Sequence, residues 1–202
     1  MSAASPPALR GWTVRDACRE DVPWAVAGVR ALLEELGGTP PPEPAMREAA
    51  QALLGRDSPA GALLVVEATS PATTPAGASF VAEAAGPAAA PADASFVAEA
   101  TSPAPAPTGA IIGVLGVSWQ VALHTPGPYA LIQDLWVHPT WRHRAVGRQL
   151  LQALYDRARA RGIARIEVGL PRESYPGLAA TAAFYERNDF EPVGLRMRRS
   201  LT

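Results

Sequence analysis

The residues with the most chemical content sit in one turn. Arg142, Arg144 and Arg148 cluster around Gly147, after a mostly apolar run at 131–137 and before Leu150, Leu151, Leu154, Tyr155 and Ala158 at helical spacing. The order is strand, tight arginine-rich turn, helix. A helix N-terminus carries backbone N–H groups with no intrahelical acceptor, which makes it an anion site, and three guanidinium groups add full charges. Gly147 lets a bulky anion come close to the backbone. Arg142, His143, Arg144, Ala145, Val146, Gly147 and Arg148 together read as a pyrophosphate cradle. One strand earlier, Asp134 is the only charge between residues 131 and 137. A carboxylate in an apolar strand needs a reason: proton transfer, a hydrogen bond to a nearby amide, or solvation in a cleft.

Other chemistries find less support. His124, His138 and His143 lack ligand spacing, so no metal site is expected. The single cysteine, Cys18, excludes an internal disulfide framework, suits a reducing cytoplasm, and reads as a small core residue rather than a nucleophile. No apolar run reaches membrane-spanning length, and no basic segment leads into an apolar N-terminal stretch, so no membrane partner is expected and the expected location is cytoplasmic. Charge is uneven: residues 1–134 hold six Arg against thirteen acids, residues 135–202 twelve against six. A basic C-terminal half suits a polyphosphate ligand and an acidic N-terminal half attracts a cationic one. Nucleic acid is not expected as a partner, because no separate recognition module accompanies the arginines. All eighteen basic residues are Arg, and with abundant Ala, Pro and Gly this points to a GC-rich, bacterial coding genome.

The elements that must position the turn follow in order. Residues 1–8 are a Pro/Ala/Ser-rich tail, and 9–202 form one domain. Trp12 to Arg15 reads as a strand. Asp21 is a plausible N-cap for a helix with Pro23 in its first turn and Gly37-Gly38 at its end. A Pro-rich connector precedes a second helix at about 45–54, and a strand follows at 61–67. Then residues 63–78, 79–94 and 95–110 repeat a sixteen-residue unit, with Glu67, Glu83 and Glu99 aligned. The unit reads as a strand-plus-turn duplicated within a loop, a low-complexity insert at about 69–109. Which copy enters the sheet is left open. Strands follow at 110–119, 131–137, 165–170 and 193–201, with helices from the arginine turn to 161 and at 179–187. The result is an α/β (α+β) chain, a mixed and mostly antiparallel sheet with helices on both faces.

Val137-His-Pro139, Trp141 and Arg142-His-Arg-Ala-Val-Gly147, followed by Phe184-Tyr-Glu-Arg-Asn-Asp-Phe190, resemble the two motifs of the GCN5-related N-acetyltransferase (GNAT) superfamily. The likeness covers nearly all of the chain outside the tail and the insert. Three positions depart from it: Ala145 and Asp189 stand where the family has glycine, and Leu178 where many members have asparagine. If Ala145 needs positive φ, alanine costs about 1 kcal/mol, whereas Asp tolerates left-handed geometry.

The resemblance implies direct acetyl transfer from acetyl-CoA, the expected co-substrate, to a primary amine of a small molecule or peptide. It places the pyrophosphate on the amides of residues 144–147 and the pantetheine arm on the backbone of Trp136 and Val137, like an added strand. It makes Tyr185 the acid for the departing thiolate and Asp134 the candidate base. Glu173 and Tyr175 are candidates to line the acceptor site. Dimers are frequent in the family, so a homodimer is one possible assembly. The alternative is a non-catalytic acyl-CoA sensor, motivated by Ala145, Leu178 and Asp189.

Overall fold

The computed structural model describes residues 11–69, 109–123, 125 and 127–194. Its order is β1 (Trp12–Asp16), α1 (Val22–Glu35), α2 (Glu43–Ala52), β2 (Gly61–Ala68), β3 (Ile111–Gln120), β4 (Tyr129–Val137), α3 (Val146–Ala160), β5 (Ile166–Val168) and α4 (Leu178–Glu186), with single 3-10 turns before α1 and after β4. The five strands lie in sequence order and are antiparallel except for β4 beside β5. The parallel pair requires a crossover, and α3 supplies it.

Two apolar layers sandwich the sheet. Alternate residues of β2, β3 and β4 (Leu64, Val66, Leu115, Ile132) pack against Leu150, Leu151 and Leu154 of α3. The intervening residues (Leu63, Val65, Val114, Trp136) face Ala25 of α1, with Leu53 beyond the end of α2. Gly28 lets α1 lie directly on β4, since a Cβ there would meet the Trp136 ring at 2.7 Å.

The repeat resolves in favour of its first copy. Residues 61–68 pair along both edges, with β1 and β3, and Val65 and Val66 are fully buried. The first copy offers Leu-Leu-Val-Val where the later copies offer Ser-Phe-Val-Ala, so it buries more apolar surface between two strands. The second copy, nearly all of the third, the tail and most of the expected strand at 193–201 lie outside the described residues. Asp21 stands at the N-cap position of α1, but its carboxylate turns back. It takes both terminal nitrogens of the Arg15 guanidinium (2.5 and 2.9 Å) and the Cys18 N–H (2.8 Å), and Arg15 holds it down to about 2. Cys18 itself is exposed and not in the core.

β5 is shorter than the expected 165–170. It runs beside β4 only from Ile166 to Val168, pairing with Ala130, Leu131 and Ile132. From there the strands part, and that parting makes the site.

Candidate active site

A bulge in β4 marks the parting point. Gly116 faces Asp134, yet the next pair is Val117 with Ile132, so Gln133 is the extra residue. Beyond it, residues 133–137 have β3 on one side and, among the described residues, no strand on the other. The His138 N–H donates to the Ile112 carbonyl at 2.9 Å. Strand alternation therefore turns the backbone of Trp136 into the ladder and sends that of Leu135 and Val137 to the open edge. Of the two residues expected to offer an edge, Val137 does and Trp136 does not; Leu135 takes its place. The Val137 carbonyl is engaged by Arg142 Nε at 3.1 Å, while its amide and the Leu135 groups face a cavity of about 880 Å³.

One end of this groove is the arginine turn. His143 (φ 62°) and Ala145 (φ 64°) are both left-handed, and Ala145 is the N-cap of α3. So the position where the family prefers glycine does need positive φ, and alanine bears the strain of about 1 kcal/mol or somewhat more. The first intrahelical bond runs from the Gln149 N–H to the Ala145 carbonyl at 3.0 Å. The amides of Val146, Gly147 and Arg148 precede it and point out of the helix end. Gly147 has a different reason to be glycine from the one expected. A Cβ there would sit 3.2 Å from Phe184 Cζ, so it admits the side chain of α4.

The three arginines separate in role. Arg142 binds Glu35 of α1 through two bonds of 2.9 and 2.6 Å, which holds the Glu35 carboxyl low and ties α1 to the turn. Arg144 lies over the Trp141 ring at 5.5 Å. Arg148 is exposed beside the cradle. Tyr175 donates its hydroxyl to the same Glu35 (3.1 Å), and Arg172 donates to the carbonyls of Leu36 and Gly37. The chain after β5 is thus strapped to the end of α1 across the groove. Glu35 has no sequence signal, because its partners lie more than a hundred residues away.

Tyr185 lines the groove from α4, 8 % exposed, with Phe184 and Phe190 edge-on at 5.1 and 5.2 Å. Burial pushes its phenol well above the usual range, which favours the protonated form. Asp189 is left-handed (φ 65°), as its tolerance for that geometry allows. His138 is exposed and bonded to Thr140, and Glu173 is exposed and lines neither cavity.

Asp134 is not beside Tyr185. It shares the α1 face of the sheet with Trp136, whereas Tyr185 packs with the α3 layer. Asp134 lines a second cavity of about 310 Å³, between α1 and α2, while its neighbours Gln133 and Leu135 line the groove. It has no hydrogen bond or ion pair among the described residues, and burial raises its carboxyl. The two cavities thus lie on either side of one strand at the bulge. A cradle, an open strand edge and a protonated phenol along one groove, with a carboxylate reaching from behind, suit an extended phosphorylated thioester and an acceptor that arrives from the other face.

The sequence profile of the acetyltransferase (GNAT) domain matches residues 91–192, half of the chain, including everything from β3 to α4. The chain belongs to the GNAT family. An IAA acetyltransferase of Azospirillum brasilense is 33% identical over 89 residues, which is 43% of this chain and 56% of that protein. The chain thus matches a little over half the length of that relative. Among solved structures, a possible acetyltransferase from Clostridium difficile 630 superposes with a TM-score of 0.63 at 12% identity, covering 96% of this chain and 99% of that one. The aminoglycoside N-acetyltransferase AAC(6')-Iy in complex with CoA gives 0.62 at 13% identity, covering 98% and 100%. At those identities the likeness is one of fold, and it extends over β1, α1, α2 and β2, which the profile match leaves out. Among the described residues this GNAT chain has no cluster of His, Cys, Asp or Glu able to hold a metal ion, and no helix long and apolar enough to cross a membrane.

Proposed function

We propose that this chain is an N-acetyltransferase that moves an acetyl group from acetyl-CoA to a primary amine by direct attack. The observation that carries the reading is the open edge of β4 running from the α3 cradle past Tyr185. The residues present fit the co-substrate. The amides of Val146, Gly147 and Arg148 with the Arg148 charge would hold its pyrophosphate, and the outward amides of Leu135 and Val137 its pantetheine arm. When bound, acetyl-CoA supplies a thioester whose C–S bond breaks as the C–N bond forms.

The chain's own residues manage the protons. The acceptor ammonium loses one proton to Asp134 before attack and a second as the bond forms. Tyr185 gives its phenolic proton to the departing sulfur and is reprotonated by the second amine proton, while Asp134 passes the first to solvent, so the sum is one acetamide, one thiol and one released proton. Asp134 suits the first task, because a carboxyl raised by burial is a stronger base than a solvated one. Backbone N–H groups at the bulge would polarise the thioester carbonyl.

The sensor reading rests on Ala145, Leu178 and Asp189. Ala145, at the cradle, and Asp189, past the end of α4, both adopt the left-handed geometry that glycine would supply, which supports the catalytic reading over the sensor. Thiol release from acetyl-CoA over a broad amine panel tests the choice. Turnover with at least one amine is expected. Tight CoA binding with no turnover on any acceptor would favour the sensor.

A further inference from the structure

We infer that the acceptor is a small amine bearing a single ammonium on a compact apolar body, seated in the cavity under α2 with that ammonium against Asp134. The inference rests on the acetyl-transfer reading above and narrows its substrate.

Three observations converge. First, α2 has an apolar stripe that the core covers only in part, with Ala50 and Leu53 packed against the layer under α1. Met46, Ala49, Ala50 and, just past its end, Leu53 recur at helical spacing, yet no residue of the helix is buried. An amphipathic helix ordinarily covers its stripe with core. Here the stripe borders the cavity of about 310 Å³, at the small end of the roughly 300–1,000 Å³ typical of ligand sites. Second, among the described residues Asp134 is the only ionisable group in the lining, which is otherwise aliphatic side chains, a methionine thioether, prolyl carbon and glycine. No guanidinium or amide among the described residues satisfies it, and a carboxylate facing apolar walls is stabilised by one cation. Third, Asp134 faces the cavity while the residues on either side of it face the groove, so an amine held here lies next to the groove at the bulge.

One charge in an apolar lining also sets what is refused. A polyamine or aminosugar brings further ammonium groups that would sit unpaired against Val26, Val29 and Leu33, and the cost of those unpaired charges selects against it. The acceptor is therefore the opposite of a polycation: apolar bulk inward, one nitrogen at the strand.

The test uses the full chain with CoA bound and 2-phenylethylamine and spermidine as probes, followed by calorimetry and then by turnover with acetyl-CoA. 2-Phenylethylamine is expected to bind at least tenfold more tightly than spermidine. Ala49→Phe, at an exposed position on the cavity rim, should weaken 2-phenylethylamine tenfold or more and leave CoA affinity within twofold. Asp134→Asn should weaken 2-phenylethylamine but not its neutral analogue 2-phenylethanol. Tighter binding of spermidine or of a peptide N-terminus, or no effect of Ala49→Phe, would overturn the inference. The two readings fail separately. Acetylation of spermidine or a peptide while 2-phenylethylamine is ignored leaves the transferase standing and removes this acceptor. Cavity binding of 2-phenylethylamine with no acetylation of any amine leaves the ligand site and removes the transferase.

Discussion

The groove along β4 and the cavity under α2 lie on the two faces of one strand, and they are built by opposite means. The groove is made of backbone: two left-handed residues, the free amides of a helix end, a bulge and an unpaired edge. The cavity is made of side chains: aliphatic groups from two helices around a single carboxylate. A backbone site recognises what all its ligands share and tolerates substitution, as Ala145 shows by taking up the glycine conformation. A side-chain site recognises what one ligand has and changes with each residue. A shared co-substrate on the first and a particular acceptor on the second is the division of labour that this construction favours.

Changes at the strand between the two sites should separate them most sharply. Asp134→Asn is expected to lower kcat/KM by about 10³, within the usual range for removing a general base. In the wild type, activity should rise with pH through a carboxyl pKa raised above the ordinary value, and the variant should lose that limb. Stability should move the other way. A carboxyl whose folded pKa is raised stabilises the fold fully only below its unfolded value near 4, and that stability is lost as pH rises through the folded value. Asp134→Asn should therefore raise Tm at pH 7 and leave it unchanged near pH 3, as a pair of melting curves would show.

On the groove side, Tyr185→Phe should reduce kcat by about 10², with CoA affinity and Tm nearly constant, since the ring and its packing remain. Equal loss of CoA binding would instead make Tyr185 a wall. Gly147→Ala should cost about 1 kcal/mol of CoA affinity, roughly fivefold in Kd, by pushing Phe184 into the groove. Phe184→Leu in the same chain should restore it. Ala145→Gly carries the smallest effect. It should raise stability by about 0.5–1 kcal/mol, the strain relieved less the entropy glycine adds to the unfolded chain. Binding of 2-phenylethylamine should not respond to it at all.

The contrast also explains what was legible in the sequence. The arginine turn and the edge at Val137 could be read because a backbone site needs particular residues at fixed local offsets. Ala145 and Asp189 stood out for the same reason, as departures at positions with a conformational demand. Arg142 could be named but not assigned, because its partner Glu35 lies in another helix. Asp134 could be recognised as anomalous, but not the cavity it faces, which exists only once α1 and α2 fold over β4. The signal for that cavity was present in α2 as a stripe at 46, 49, 50 and 53, although a stripe alone does not say whether core or ligand will cover it. The choice among the repeat copies turned on apolar content: the strand at 61–68 sits between two partners, where Leu-Leu-Val-Val buries more than Ser-Phe-Val-Ala. β5 ends at Val168, short of residue 170, because its parting from β4 is a tertiary event with no local marker.

The most direct measurement is product analysis with acetyl-CoA and a panel of amines, counting free thiol and N-acetylated product together. One thiol per acetamide is expected, fastest on single-ammonium apolar amines and lost in Asp134→Asn. Tight CoA binding with no acetamide from any amine would contradict it.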